Sequence, residues 1–322
     1  VIVVTGAAGF IGSCVVAQLN QRGIRDLVLV DRWDPDGLMK KNLEGKAYTK
    51  FYDKCDFLQL MLSDGIAEDV QAVIHMGACS STTGQDREYY RRNNFEYSCH
   101  VARWALRKKA RLIYASSAAT YGDGKGGYSD SIEAIRACKP LNYYGESKQK
   151  FDEWVLDNQL YDKVVGLKFF NVFGPNEYHK GDMKSVLAKA YDKVVSEGRM
   201  MLFKSHRAEY ADGAQMRDFI YVKDVVDVVE FFLNKPAVNG IYNVGTGHAR
   251  TWNDVARALF AAAGKPVNIE YIPMPEILRD KYQYFTEADM SRLRKAGYTK
   301  SFTSLEDSVK DYVGYLKSHR YM

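Results

Sequence analysis

The stretch Val1-Ile-Val-Val-Thr-Gly-Ala-Ala-Gly-Phe-Ile-Gly12 decides the fold. Val1–Val4 is an apolar run long enough for a buried strand, and Val15, Val16 and Leu19 then repeat at helical spacing as far as Gly23. Between them lie Gly6, Gly9 and Gly12, with Phe10 and Ile11 in the same turn. Glycine permits a tight turn and lets backbone N–H groups approach a pyrophosphate, where the helix N-terminus presents its positive dipole end. Strand, glycine turn and helix in that order are the context a dinucleotide site requires; the spacing here is GxxGxxG rather than GxGxxG.

Working outward, Asp26–Val30 reads as a second buried strand ending in Asp31, placed about 20 residues beyond the glycines to accept from adenosine ribose hydroxyls. Further apolar strands are expected at Ala72–His75, Arg111–Ala115 and Val164–Phe170, with amphipathic helices between them, including Tyr89–Arg107 and Tyr144–Asn158. Such alternation predicts an α/β fold, a doubly wound, Rossmann-like parallel sheet covered on both faces, with ligands outside the carboxyl ends of the strands. After Asn171-Val-Phe-Gly-Pro175 comes a polar loop, a helix near Ser185–Glu197 and a charged segment from His206 to Gln215, before strands return at Asp218–Val222 and Gly240–Val244. This predicts a dinucleotide-binding domain of residues 1–170 and 217–247 and a smaller α/β substrate-binding lobe of residues 171–216 and 248–322.

Composition narrows the function. In 322 residues, 45 Lys and Arg stand against 40 Asp and Glu, a net +5 with the two signs interspersed. That excess suits an anionic small molecule and argues against nucleic acid as a partner. Mean hydropathy is -0.35, and every apolar run breaks before the ~20 residues of a membrane span. No membrane association is expected. Cys14, Cys55, Cys79, Cys99 and Cys138 show no CxxC spacing, the six histidines share no ligand spacing, and no metal is expected. With no signal-peptide pattern at the start, the cytoplasm is the expected compartment. Arg32, Lys40, Lys41 and Lys54 flank the ribose end of the dinucleotide site and favour a 2′-phosphate, hence NADP, with NAD as the alternative.

A second cluster carries chemistry. Tyr144-Gly-Glu-Ser-Lys148 puts a phenol and an ammonium one turn apart on one helical face. A nearby cation favours phenolate, so the tyrosine is expected to titrate below its usual value of about 10. Ser116 and Ser117 close a strand upstream and can bring a hydroxyl to the same cleft.

Taken with the glycine turn, these residues make the chain resemble the extended short-chain dehydrogenase/reductase family, through TGAAGFIG, Ser116-Ser117, YGESK, Phe170–Pro175, Arg217–Asp224 and Asn243–Gly247. The resemblance implies Tyr144 as acid/base, Ser117 as hydroxyl donor to the reacting oxygen, and Lys148 as the tyrosine's partner that also holds the nicotinamide ribose. Three further stretches, His75–Thr83, Glu177-Tyr-His-Lys-Gly181 and Tyr282–Asp289, are similar to the branch of ADP-glycero-manno-heptose 6-epimerases of lipopolysaccharide-core precursor synthesis. That branch implies an ADP-sugar substrate and a homo-oligomer, a pentamer by the resemblance. It implies inversion at C6″ by transient oxidation and re-reduction, with Lys180 as a second acid/base that also touches the cofactor. By the same similarity Met76, Gly77, Ala78, Cys79, Ser80, Asn93 and Val172 line the cofactor, while Asn171, Asp182, Lys189, Phe203, Lys204, Ser205, His206, Arg217 and Tyr282 contact the substrate.

Three other readings compete. A sugar-nucleotide dehydratase needs an acidic pair after the strand-end hydroxyl, where this chain has Ala118 and Ala119. A UDP-hexose 4-epimerase, or another nucleotide-sugar dehydrogenase of the family, shares the core chemistry and is distinguished by the HKG lysine. A non-catalytic dinucleotide sensor need not keep Ser117, Tyr144 and Lys148, all of which are present. Charge alone adds Arg207, Arg279 and Lys281 as weaker candidates for a diphosphate.

Overall fold

The computed structural model describes residues 1–32, 34, 37–279 and 282–322; Lys281 lies outside them. Twelve strands occur among the described residues: β1 (Ile2–Thr5), β2 (Leu27–Asp31), β3 (Lys50–Asp53), β4 (Ala72–His75), β5 (Arg111–Ser117), β6 (Val164–Phe169), β7 (Asn171–Phe173), β8 (Met200–Phe203), β9 (Met216–Tyr221), β10 (Gly240–Val244), β11 (Ala249–Thr251) and β12 (Ile269–Ile272). Seven form one parallel sheet in the order β10-β6-β5-β4-β1-β2-β3. The order reverses at β1, which pairs with β2 on one side and β4 on the other, and this opens a crevice at the carboxyl ends.

Both faces of the sheet are covered, so its inner strands carry runs of consecutive buried apolar residues rather than alternating ones. Ile2, Val4, Leu27, Leu29, Ile74, Ile113 and Leu167 point into one core with helices Phe10–Gln21 and Val222–Leu233. Val3, Val28, Val30, Val73, Leu112 and Val164 point into the other, against helices Lys54–Leu62, Tyr97–Arg107 and Tyr143–Asp157.

The smaller part groups helices Val186–Glu197, Trp252–Ala263 and Leu305–Ser318, which pack on one another, with a three-stranded sheet β11-β9-β7 and a parallel pair β12-β8. β10 joins the large sheet, whereas β9 pairs with β7 and β11. The single helix expected over Tyr89–Arg107 is instead three pieces, a turn Arg87–Tyr90, a π-helical segment Arg91–Glu96 and the α-helix Tyr97–Arg107. No helix among the described residues is long and apolar enough to cross a membrane.

Candidate active site

A cavity of about 470 Å³ lies at the carboxyl ends of β1, β2, β4, β5 and β6. Its floor is the glycine turn. Gly6 has φ +66°, and a Cβ there would lie 2.6 Å from the Gly77 backbone; a Cβ on Gly12 would lie 2.0 Å from the Gly6 carbonyl oxygen. The crossing of two backbones therefore requires glycine at both positions. Helix Phe10–Gln21 starts at Gly9 with no side-chain cap and no acid in its first turn, so its free N–H groups face the cavity as an anion site. These features fit a dinucleotide pyrophosphate. Asp31 closes the turn: its carboxylate accepts from Ala8 N at 2.9 Å and Arg32 N at 2.8 Å, and burial pushes its pKa up against those bonds.

One wall is the segment Met76–Ser80, and the residue that holds it was not legible as such. Asn94, buried in the π-helical segment, accepts from Cys79 N at 2.8 Å and donates to Cys79 O at 3.0 Å and to Ser147 Oγ at 3.0 Å. Ser147 in turn donates to the Tyr144 carbonyl at 2.7 Å. Beneath the wall, His75 bridges Thr5 Oγ1 at 2.6 Å and Ser98 Oγ at 2.8 Å. Burial pushes its pKa down to about 3, and Lys148 adds to the shift. Lys54 pairs with Asn93 at the rim.

The reacting groups are set by a strand end and a helix start. β5 delivers Ser117, whose hydroxyl accepts from Ala119 N at 3.1 Å. Asn142 caps helix Tyr143–Asp157 by accepting from Gly145 N at 2.8 Å, which puts Tyr144 and Lys148 on the face toward the cavity. Burial raises the Tyr144 pKa and the hydroxyl of Ser117 opposes that rise. The expected lowering by Lys148 does not occur: the Lys148 ammonium donates to the Ala115 carbonyl at 2.8 Å, and burial brings its own pKa down to about 8. Behind them a fully buried ion pair, Lys168 Nζ to Asp152 Oδ2 at 2.7 Å, is completed by Tyr114, Ser116 and Thr120.

Lys180 reaches the same cavity from the turn Tyr178–Met183, its Nζ 5.0 Å from the Phe10 ring centroid. Burial lowers its pKa, Glu177 raises it and Lys189 lowers it. His179 also lines the cavity, its Nδ1 3.2 Å from Asn42 Nδ2, and burial takes its pKa down to about 4. Asn42 donates as well to Ala8 O and Asn176 O, tying this turn to the glycine turn. No sequence motif marked Asn42 or Asn94, since both act through backbone groups distant in the chain.

The remaining candidates fall outside this cavity. Lys40 is exposed in the turn Lys40–Leu43, and Asn171 sits at the exposed start of β7. Asp182 follows the Lys180 turn, and Lys189 is on the neighbouring helix. Arg217, Tyr282, Phe203, Ser205 and His206 instead meet in a second cluster. Arg217 is 7% exposed; its guanidinium lies 5.1 Å from the Tyr282 ring centroid, donates to Met216 O and has no carboxylate partner among the described residues. Phe203 stands edge-on to Tyr282, and Trp252 Nε1 donates to its hydroxyl at 2.9 Å. Tyr284 extends the group, accepting from His206 N at 2.9 Å and packing at a tilt against Tyr210, ring centroids 4.8 Å apart. The charged segment after Lys204 thus folds over this aromatic group. Arg207 lies over Tyr284, while Arg279 faces Glu276 at 3.8 Å. Among the described residues no group of three or more His, Cys, Asp or Glu could hold a metal ion.

Residues 2–245 match the model of the NAD dependent epimerase/dehydratase family. The ADP-L-glycero-D-manno-heptose-6-epimerase of Nitratidesulfovibrio vulgaris is 52% identical over 311 residues, 97% of this chain and 96% of that protein. The protein of the same name from Fusobacterium nucleatum is 44% identical over 321 residues, again covering 97% and 96%. Among solved structures, Helicobacter pylori ADP-L-glycero-D-manno-heptose-6-epimerase superposes with a TM-score of 0.82 at 28% identity over 98% of this chain and 96% of that one. The chain belongs to the NAD dependent epimerase/dehydratase family and, within it, to the ADP-L-glycero-D-manno-heptose-6-epimerases.

Proposed function

We propose that this cytosolic protein inverts C6″ of an ADP-glycero-manno-heptose, D-glycero to L-glycero, using tightly bound NADP, in the supply of lipopolysaccharide-core precursor. The observation that carries the reading is that two acid–base groups from different elements, Tyr144 and Lys180, line one cavity with the glycine turn. Residues 1–170 and 217–247 chiefly hold the dinucleotide in this scheme, and residues 171–216 and 248–322 the sugar nucleotide, with Val172 and Arg217 each crossing that division.

When bound, the nicotinamide supplies hydride acceptance and return, which lets a carbinol centre without an acidic C–H be inverted. The chain's part is proton traffic and charge. Tyr144, kept as a phenol by burial, gives or receives the proton of the C6″ oxygen on one side of the sugar. Lys180, whose burial favours the neutral amine, does so from the other. Ser117 hydrogen-bonds the developing oxyanion, and Lys148 anchors the nicotinamide ribose. Gly6, Gly9 and Gly12 with the helix start cradle the pyrophosphate, and Met76–Ser80, Asn93 and Val172 enclose the rings. Arg32 and Lys54, at the cavity rim, take the 2′-phosphate. Arg217, a buried cation without a carboxylate partner among the described residues, takes the substrate diphosphate.

Incubation with a panel of ADP- and UDP-sugars tests the reading. ADP-D-glycero-D-manno-heptose should convert to its L-glycero epimer with no net consumption of nicotinamide. Turnover of UDP-hexoses alone would overturn it. Denaturation should release a dinucleotide bearing a 2′-phosphate; release of NAD only would overturn the NADP assignment. The proposal includes a homo-oligomer, pentameric by the family resemblance, and a monomer by light scattering at micromolar concentration contradicts that part.

A further inference from the structure

Glu177 is buried with no exposed surface and has no cation within ion-pair distance among the described residues. Three neutral donors converge on its carboxylate instead. Ser185 N donates at 2.5 Å and Ser185 Oγ at 2.6 Å, from the far end of the turn that carries Lys180. Tyr312 Oη donates at 2.8 Å, from helix Leu305–Ser318. The backbone carbonyl of Glu177 also accepts from Lys180 N at 3.1 Å. Ser185 is at the same time the cap of helix Val186–Glu197, accepting from Ala188 N at 3.2 Å. A carboxylate accepts from all three; a glutamine could accept from Ser185 N only with its NH2 turned to the two hydroxyls, whose own O–H groups would then lose the acceptor they have here.

We propose that Glu177 is the positioning residue for Lys180: its carboxylate joins the two ends of the 178–184 turn and pins both to the C-terminal helix, fixing where the Lys180 ammonium enters the cavity. The inference rests on the reading of Lys180 as second acid/base. The turn needs such a clamp because inside it Gly181 adopts φ +51°, ψ -124°, and the side chains of the turn make no buried apolar core of their own. The unneutralised charge also has a target. Lys180 is faced by Glu177 from its own segment, by Lys189 from helix Val186–Glu197, by His179 beside it and by the Phe10 ring from helix Phe10–Gln21. Glu177 is the one titratable group of these that favours the ammonium, so it offsets part of the depression caused by burial and Lys189.

The test compares Glu177→Gln, Tyr312→Phe, Lys180→Met and the double variant Glu177→Gln/Lys180→Met. Glu177→Gln should lower kcat about 10- to 100-fold, the scale of a displaced catalytic group, with KM and bound dinucleotide unchanged. The limb of its kcat–pH profile belonging to Lys180 should move to lower pH. Tyr312→Phe loosens the clamp but keeps the charge, so kcat falls while the limb stays in place. In the Lys180→Met background Glu177→Gln should cost nothing more. Full additivity in the double variant, or an unmoved limb in Glu177→Gln, overturns the proposal. Should Glu177→Gln fail to fold, Tyr312→Phe combined with Lys180→Met carries the same additivity test. Lys180→Met at the wild-type rate removes the two-base reading itself, an outcome distinct from additivity.

Discussion

Each buried ionisable group in this cavity has its charge opposed by desolvation, and what differs is the partner that remains. Tyr144 keeps only the Ser117 hydroxyl, so it is held protonated; Lys148 spends a bond on the Ala115 carbonyl and cannot draw the phenol down. Tyr144→Phe should therefore lower kcat by the ~10²–10⁴-fold of a lost acid–base group while the dinucleotide stays bound, read by steady-state rates and release on denaturation. Arg217 is the opposite case, a buried guanidinium with a backbone carbonyl and an aromatic ring but no carboxylate among the described residues. A charge-assisted bond to phosphate is worth ~1.5–3 kcal/mol, so Arg217→Ala should raise the Kd of the ADP-sugar roughly ten- to a hundredfold by titration calorimetry. Unchanged affinity removes it from the substrate site. His75 links charge to stability. The unfolded chain takes up its proton near pH 6.5 and the folded chain near 3, so between these values the unfolded state binds more protons. Stability is then lost as pH falls through that window. In urea unfolding, the advantage of wild type over His75→Gln should shrink from pH 7.5 to pH 5; a constant difference shows that His75 is not what titrates.

At the scale of elements, the glycine turn and its strand were legible because one function demands one backbone shape. Gly12→Ala places a methyl group 2.0 Å from the Gly6 carbonyl, so one segment must move. Overpacking of this kind costs about 1–3 kcal/mol, and because the moved groups are those that face the pyrophosphate, the dinucleotide Kd should rise about tenfold or more. Fluorescence titration decides it. The central strands were legible for a different reason: burial on both faces leaves unbroken runs such as Leu27–Val30 and Ala72–Ile74. β3, Lys50–Asp53, escaped because an edge strand can stay polar, and β7, β8, β11 and β12 escaped because three or four residues carry no period. The π-helical segment escaped because its register answers to Asn94 gripping Cys79, a contact 15 residues away in sequence. Lys40 does not line the cavity, because charge and proximity in sequence do not say which way a turn exposes its side chain.

In the whole molecule, the two groups of elements share the core on one face of the large sheet. Apolar residues run without a break from Val4 and Val15 through Leu167, Phe173 and Ile220 to Leu187, Leu259 and Tyr312, so the large sheet and the three smaller-lobe helices bury the same surface. Cys14 and the Asn176 amide against Ser13 stitch the same boundary with polar contacts. The opposite face of the large sheet keeps a core of its own, but the smaller part's helices are buried only in the shared one, and the chain should unfold in a single calorimetric transition rather than two. The dinucleotide cavity is built from β1, β2 and β4 on one side and the Lys180 turn on the other, so ligand binding should stabilise the unit as a whole. At a free concentration of 100 times Kd the gain is about 2.7 kcal/mol. With an unfolding entropy of about 2.1 cal/mol/K per residue, a chain of this length should gain about 4 °C in Tm. Two resolved transitions, or a shift confined to one of them on adding NADP, would show that the lobes fold independently and that the continuous core does not couple them.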